Sequence, residues 1–248
     1  MLLLGAGPRA LLLQLADPAV AAGVDEHSDF PSDPWRRLDG TLRSYLRIIF
    51  GSTAAARTEI RRLNALHREI RGRGYDARDP VLALWVHATL IDSAIVTYDA
   101  WLGPLPRERA ARFYLETLPI ARAFGVPEAM LPPDLDTFDA YVGARLAPGG
   151  GVHVADTARK LADAILHPPL PGVLAHLPLD PRAYGWTLWP AIGLLPATIR
   201  EAYGVRFGRR ERLVAAWLVM GWRAWNPLIP RAFRQMPQAL AADRRVRQ

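Results

Sequence analysis

The sequence predicts an all-α fold, arranged as a single globular multi-helix bundle. Apolar residues recur at helical spacing along most of the chain, and no run alternates apolar and polar residues as a half-buried strand does. At Asp33-Pro34 and Asp79-Pro80 an acidic N-cap residue precedes a first-turn proline, which is typical of a helix start. Half of the residues are hydrophobic and 22% are charged, as in a globular protein with a sizeable core.

The first predicted helix begins near Pro8 and ends before Asp17-Pro18, and the second and fourth begin at the two Asp-Pro pairs. In the third helix, His67 lies on an apolar face together with Ile60 and Leu66. The fourth helix is apolar almost all round, which predicts complete burial. The predicted helices span residues 8–16, 34–50, 52–72, 79–101, 106–124, 134–146, 154–165, 187–203, 209–223 and 229–243.

Segments rich in glycine and proline separate these helices: GRGYD, LGPLP, GVPEAMLPPD and LAPGGG. We expect one domain over residues 1–248, with a softer boundary near 147–152 where PGGG occurs.

Composition excludes several kinds of site. The chain has no cysteine, which removes thiolate nucleophiles, disulfides, zinc-thiolate sites and iron–sulfur clusters. The formal charge of +7 raises the question of nucleic-acid binding, but the basic residues, all arginine except Lys160, are scattered through the predicted helices. We expect no nucleic-acid partner, and interpret the charges as solvated faces and ion pairs.

The apolar N-terminus superficially resembles a signal peptide. It has no basic residue before its apolar run, and Pro8 and Arg9 interrupt that run, so we expect a buried helix and a cytoplasmic protein. The tryptophan-rich segments GWTLWPAIGLLPATI and LVAAWLVMGWRAWNPLI are too interrupted to span a membrane, although they leave peripheral membrane contact open. Nothing in the sequence predicts the oligomeric state.

The histidines are the candidate ligands. The chain contains no HExxH, EF-hand, P-loop, GxGxxG or GxSxG motif, and no repeated Glu-x-x-His pair for a di-iron site. A haem requires less: one axial imidazole, an apolar slot, and arginines for the propionates. His67 meets the first requirement, and the alternative is an ordinary core imidazole.

Two other histidines compete for that role. His87 lies in the most apolar predicted helix, where it either contacts haem or substrate or is a core histidine with Asp92 as its hydrogen-bond partner. His27, in DEHSDF, either orients a neighbouring group or lies beside a turn capped by Ser28 or Asp29.

Several segments, in order, resemble the DUF2236 family, which includes the MpaB-type oxygenases and the latex-clearing rubber oxygenases. They are GPRALLLQLADPAVAAGVDEHSDF, DPWRRLDGTLRSYLRIIFGS, LHREIRG, YDARDPVLALWVHATLIDSAIVTY and GPLPRERAARFYLETLPIARAFGVP, with a weaker match at LLPATIREAYGV. The resemblance implies an all-α haem-b protein that encloses a haem pocket, in which one histidine binds the iron on its proximal side.

The resemblance also assigns residues. In the rubber oxygenases an arginine follows the proximal histidine by four residues, as Arg71 follows His67, and an Arg-x-x-Lys-Thr segment precedes it, matched here by Arg37 and Thr41. Both pairs have helical i, i+4 spacing, so we expect each pair to share one helix face. Gly40 stands where those enzymes carry lysine, so the distal iron ligand is not carried over.

The resemblance implies that the haem uses O₂ to oxygenate a small or medium apolar, unsaturated substrate, isoprenoid or lipid-like, with an electron donor if one is needed. Thr41 would donate a distal hydrogen bond, Arg37 would place positive charge near oxygen or a propionate, and Arg71 would hold a propionate or serve the structure. Helix capping or a salt bridge is the alternative for Arg37 and Thr41. The alternative function is a non-catalytic haem or lipid carrier, or a sensor, with the same fold.

Overall fold

The computed structural model describes residues 2–28, 34–167 and 181–246, and it confirms the all-α prediction. Its longer helices are connected by turns and short 3₁₀ segments. The helices are α1 (Leu2–Leu15), α2 (Pro18–His27), α3 (Pro34–Phe50), α4 (Thr53–His67), α5 (Pro80–Leu102), α6 (Arg107–Ala123), α7 (Leu135–Leu146), α8 (Asp156–Leu166), α9 (Trp189–Gly193), α10 (Ala197–Ala202), α11 (Arg209–Trp225), α12 (Arg231–Arg234) and α13 (Pro237–Val246). A two-residue antiparallel hairpin, β1 (Arg71–Gly72) and β2 (Tyr75–Asp76), follows α4.

The structure corrects several of the predicted helices. The first was predicted to begin near Pro8, but α1 begins at Leu2 and Pro8 lies inside it. Asp17 does more than end a helix, because its carboxylate accepts hydrogen bonds from the backbone N–H groups of Ala19 and Val20 and caps α2, a helix that the sequence pattern did not predict. The predicted helix 52–72 ends at His67. The predicted helices 187–203 and 229–243 are each divided, the first into α9 and α10 and the second into α12 and α13.

Helix α5 lies at the centre of the fold. It packs along α1, where the indole N–H of the fully buried Trp85 donates to the carbonyl of Leu13 at 3.2 Å. One side of α5 joins a core cluster built with α1 and α8, to which Val152 also belongs, and the other side joins a cluster built with α6 and α7. In the described residues, α5 alone has the length and hydropathy of a membrane span, and a central core helix has the same properties.

Buried ion pairs connect elements that are far apart in sequence. Arg9 on α1 donates to Asp92 at 2.6 Å, to the Ser93 hydroxyl at 2.8 Å, and to the carbonyl of Leu194 at 2.8 Å. Its side chain is 5% exposed, and the hydrogen bonds to these three acceptors replace those that the guanidinium would make with water. The contact holds α1, α5 and the end of α9 together.

Helices α3 and α4 form an antiparallel hairpin at the edge of the fold, connected through Glu59. This carboxylate is 3% exposed and accepts from Ser44 at 2.8 Å, Arg47 at 2.9 Å and Arg62 at 2.5 Å. The hydrogen bond from Arg62, with those from Ser44 and Arg47, lowers the pKa of Glu59 to about 2. The Ser44–Glu59 contact therefore fixes the register of the two helices.

Candidate functional site

His67 is the last residue of α4. Beyond it the Arg68 N–H donates to the carbonyls of Ala65 and Leu66, and the chain then leaves the helix for the hairpin. The imidazole is half-buried, and its centroid lies 6.1 Å from that of Phe124 at the end of α6. Neither ring nitrogen of His67 forms a hydrogen bond with any residue in the described part of the chain.

The register of the α3–α4 hairpin brings Arg37 towards His67. Because Ser44 lies opposite Glu59 and the helices are antiparallel, Arg37, two turns before Ser44, lies opposite the end of α4. Burial lowers the pKa of His67, and the positive charge of Arg37 lowers it further. The imidazole is consequently neutral at pH 7, the form that can bind a metal.

Thr41 lies one helical turn after Arg37 on the same face of α3, as the i, i+4 spacing predicts. The side chains at this end of the hairpin are exposed to solvent. Arg37 and Thr41 are exposed, and so are the apolar side chains of Leu38 (42%) and Leu66 (43%), whereas Ser44 and Glu59, nearer the middle of the two helices, are buried. We call Arg37, Leu38, Thr41, Leu66 and His67 the open end of the hairpin.

Arg71 does not share a helix face with His67, so the predicted geometry of this pair is wrong. Because α4 ends at His67, Arg71 falls in β1, opposite Asp76 across the hairpin, with an exposed side chain. Its charge contributes to the lowered pKa of Asp76, after the larger effect of Arg78. The structure therefore places Arg71 in the exposed hairpin and pairs it in register with a carboxylate.

His87 is enclosed in the core. Its Nε2 lies 3.3 Å from the hydroxyl oxygen of Thr117 on α6. Thr117 donates its own proton to the carbonyl of Tyr114 at 2.6 Å, so its oxygen accepts from an Nε2–H of His87. Burial lowers the pKa of His87 to about 4. Asp92, the partner suggested by the sequence, is bound to Arg9 instead.

The other sequence candidates lie apart from the open end. His27 is exposed at the end of α2, with its ring edge-on to Tyr75 at 6.0 Å, and the hydroxyl of Tyr75 donates to Glu26 at 2.6 Å. Ser28 follows as the C-cap residue of α2, and Asp29 lies outside the described residues. Sequence reasoning missed Phe124, whose contact with His67 leaves no local signal.

The donor set restricts the kind of metal centre that these residues can form. In the described ranges no group of three or more histidine, aspartate or glutamate side chains is placed to hold a metal ion. The open end instead combines a single neutral imidazole with apolar side chains and the positive charge of Arg37. A prosthetic group that carries its own in-plane ligands needs only one such protein ligand.

Residues 1–225 match the family described as ER-bound oxygenase mpaB/B'/Rubber oxygenase, catalytic domain. The chain is also 29% identical to the uncharacterized protein Rv2237 of Mycobacterium tuberculosis, over 96% of this chain and 94% of the relative. The uncharacterized protein Mb2261 of Mycobacterium bovis gives the same identity and coverage. No solved structure matches the chain significantly.

Proposed function

Since the chain belongs to the mpaB and rubber oxygenase catalytic-domain family, whose members are oxygenases, we propose that it is a haem-b-dependent oxygenase. It acts with O₂ on a small or medium apolar, unsaturated substrate of isoprenoid or lipid-like character. The observation that carries the proposal is a neutral imidazole, His67, that accepts and donates no hydrogen bond in the described structure and lies at the open end of a helix hairpin beside Arg37.

We infer that the open end would hold the haem. His67 would hold the iron, since its lowered pKa leaves one nitrogen lone pair free of a proton at pH 7. Leu38 and Leu66 are large apolar side chains left 42% and 43% exposed, and a porphyrin face would cover such surface. Bound there, the haem would supply the redox-active iron that activates O₂.

The remaining residues have separate roles in this proposal. Arg37 would bind an anionic propionate or place positive charge beside the bound group, because its charge already acts on His67. Thr41 carries a hydroxyl that donates a hydrogen bond into the same space. Gly40 between them leaves room, since a Cβ added there meets nothing within 4 Å.

We do not assign His87 to the iron. Its Nε2, the nitrogen that most often binds metals in proteins, is committed to Thr117. Ligation through this atom would require the helices α5 and α6 to give up a buried hydrogen bond. In our proposal His87 therefore positions α6, whose end carries Phe124 against His67.

The alternative in the same fold is a haem or lipid carrier without turnover, and oxygen uptake distinguishes the two. The purified chain is loaded with haem b, and O₂ consumption is followed with a panel of unsaturated isoprenoids and lipids, with and without an electron donor. We expect uptake that requires both haem and substrate. Stoichiometric haem binding without uptake over the whole panel would favour the carrier. The cytoplasmic location expected from the sequence belongs to the same proposal.

A further inference from the structure

The C-terminal end of the chain is one of its two strongly basic segments. Residues 205–248 contain ten arginines and two acidic residues, a formal charge of +8. The remaining residues, 1–204, contain 21 basic and 22 acidic side chains and carry −1. One other segment, residues 36–73, is also basic, with ten arginines and three acidic residues, whereas the rest of the chain is acidic overall. The C-terminal basic segment begins just before α11.

Helix α11 also exposes a stripe of large apolar side chains. Leu213 is 55% exposed, Trp217 is 74% exposed and Met220 is 57% exposed. Their i, i+4, i+7 spacing places them on one face of the helix. Three exposed arginines lie at the start of the same helix: Arg209, Arg210 and Arg212. We call these six residues the α11 surface.

The α11 surface is held rigidly on the fold. The opposite side of α11 packs against α9 and α5, with Ala215 buried in the contact. Near the end of the helix, Arg223 donates to the carbonyl of Asp99, the residue three before the end of α5, at 2.6 Å. More exposed apolar side chains follow directly in the sequence: Trp225 (66%), Leu228 (71%) and Phe233 (84%).

We propose that the α11 surface binds anionic membranes, with α11 lying in the plane of the lipid headgroups. An apolar stripe beside arginines is the pattern of interfacial helices, because the stripe enters the acyl boundary while the guanidinium groups contact headgroup phosphates. Tryptophan is the residue most suited to this boundary, since its ring is apolar and its N–H is polar. The inference does not depend on the haem or on oxygenase activity.

The charge of the surface argues against two other occupants. A symmetric dimer through this face would bring together two copies of the same patch, which holds three arginines and no carboxylate to pair with them. A nucleic acid would pair with the arginines and stack a base on Trp217, but it would leave the aliphatic side chains of Leu213 and Met220 without an apolar partner. An anionic lipid surface satisfies both the charge and the apolar stripe.

The test is co-sedimentation of the full-length chain with vesicles of phosphatidylcholine alone or mixed with phosphatidylglycerol. We expect binding to the mixed vesicles, weakened by salt, and little binding to phosphatidylcholine. Trp217→Ser should reduce the partition coefficient about tenfold, and Leu213→Ser about fivefold, because apolar area no longer leaves water on binding. Arg209→Gln should reduce it about fivefold.

Matched controls lie on α6. Leu115→Ser makes the same change at a leucine that is 48% exposed, and Arg109→Gln removes an exposed arginine, and neither should change vesicle binding. Equal binding to both kinds of vesicle, or equal losses in the α6 controls, would overturn the proposal. The proposal would also be overturned if the chain bound neither kind of vesicle. A Trp217-dependent dimer or binding of an oligonucleotide would then identify another occupant of the surface.

Discussion

The guanidinium of Arg37 on α3 lies close enough to the imidazole of His67, at the end of α4, for its charge to lower the pKa of that ring. Thirty residues separate the two in sequence, and the register set by Ser44 and Glu59 brings them together. A cation beside a half-buried histidine keeps the histidine neutral, and this is the physical basis of the proposed ligand role.

Arg37→Gln should raise the pKa of His67. The charge that disfavours imidazolium is removed, while burial, the larger cause, continues to hold the pKa below its ordinary value of 6.5. Titration of the His67 ring protons by NMR measures the change directly. Arg43→Gln on the same helix is the control, because Arg43 is exposed and paired with Asp39 at 2.8 Å. An equal shift in both variants would contradict the assignment.

His87 should make the protein less stable in mild acid. Its pKa is about 4 in the folded state, below the ordinary histidine value of 6.5 that applies in the unfolded chain, so the unfolded state binds more protons between these values. The stabilising contribution is complete above about pH 6.5 and falls as the pH drops towards 4, by about 3 kcal/mol in total. Urea unfolding at several pH values should show this loss in the wild type and a smaller one in His87→Gln. The same dependence of the unfolding free energy on pH in both proteins would show that His87 is not held neutral.

Glu59→Gln should loosen the α3–α4 hairpin. The substitution removes the negative charge that accepts from Arg62, Arg47 and Ser44, at a site where the carboxylate is 3% exposed. Both arginines reach solvent, so we expect a cost of about 1–3 kcal/mol in the free energy of unfolding. Glu116→Gln is the matched control, because it breaks an exposed i, i+4 pair with Arg112 and should cost less than about 0.5 kcal/mol.

Gly40→Ala should be tolerated and should stabilise α3. A Cβ at this position meets nothing within 4 Å, and glycine inside a helix costs about 0.5–1 kcal/mol relative to alanine. Gly5→Ala is the contrasting variant, since its Cβ would lie 2.7 Å from Cγ2 of Thr97 in the core. The melting temperature should rise in Gly40→Ala and fall in Gly5→Ala. A destabilised Gly40→Ala would indicate that the space beside Gly40 is needed by the fold.

Local signals predicted much of the helical pattern. The Asp-Pro pair at 79–80 predicts the start of α5 because capping depends only on neighbouring residues, and the Asp79 carboxylate accepts from the Val81 N–H at 2.8 Å. The end of α4 was missed because Ile70 continues the apolar period of the helix. The chain turns away there into a hairpin that contacts α2, where Tyr75 bonds to Glu26, 49 residues earlier.

The site depended on contacts that no local pattern contains. Asp92 was available to His87 by sequence, but Arg9 on another helix takes it in the folded chain. The proximity of Arg37 to His67 follows from a buried carboxylate, Glu59, whose partners lie on both helices. The resemblance to the oxygenase family identified Arg37, Thr41 and His67 together. The helical spacing of apolar residues, by itself, left His67 as one of several residues on an apolar face.

The most direct test of the central claim is a haem b titration followed by absorption spectroscopy of the wild type, His67→Ala, His87→Ala and His27→Ala. The account predicts a Soret band typical of histidine-ligated haem in the wild type and in His27→Ala, which loses an exposed histidine on α2. His67→Ala should lose that spectrum and regain it when free imidazole is added. A wild-type spectrum in His67→Ala, with loss in a folded His87→Ala, would contradict the assignment of His67 as the ligand.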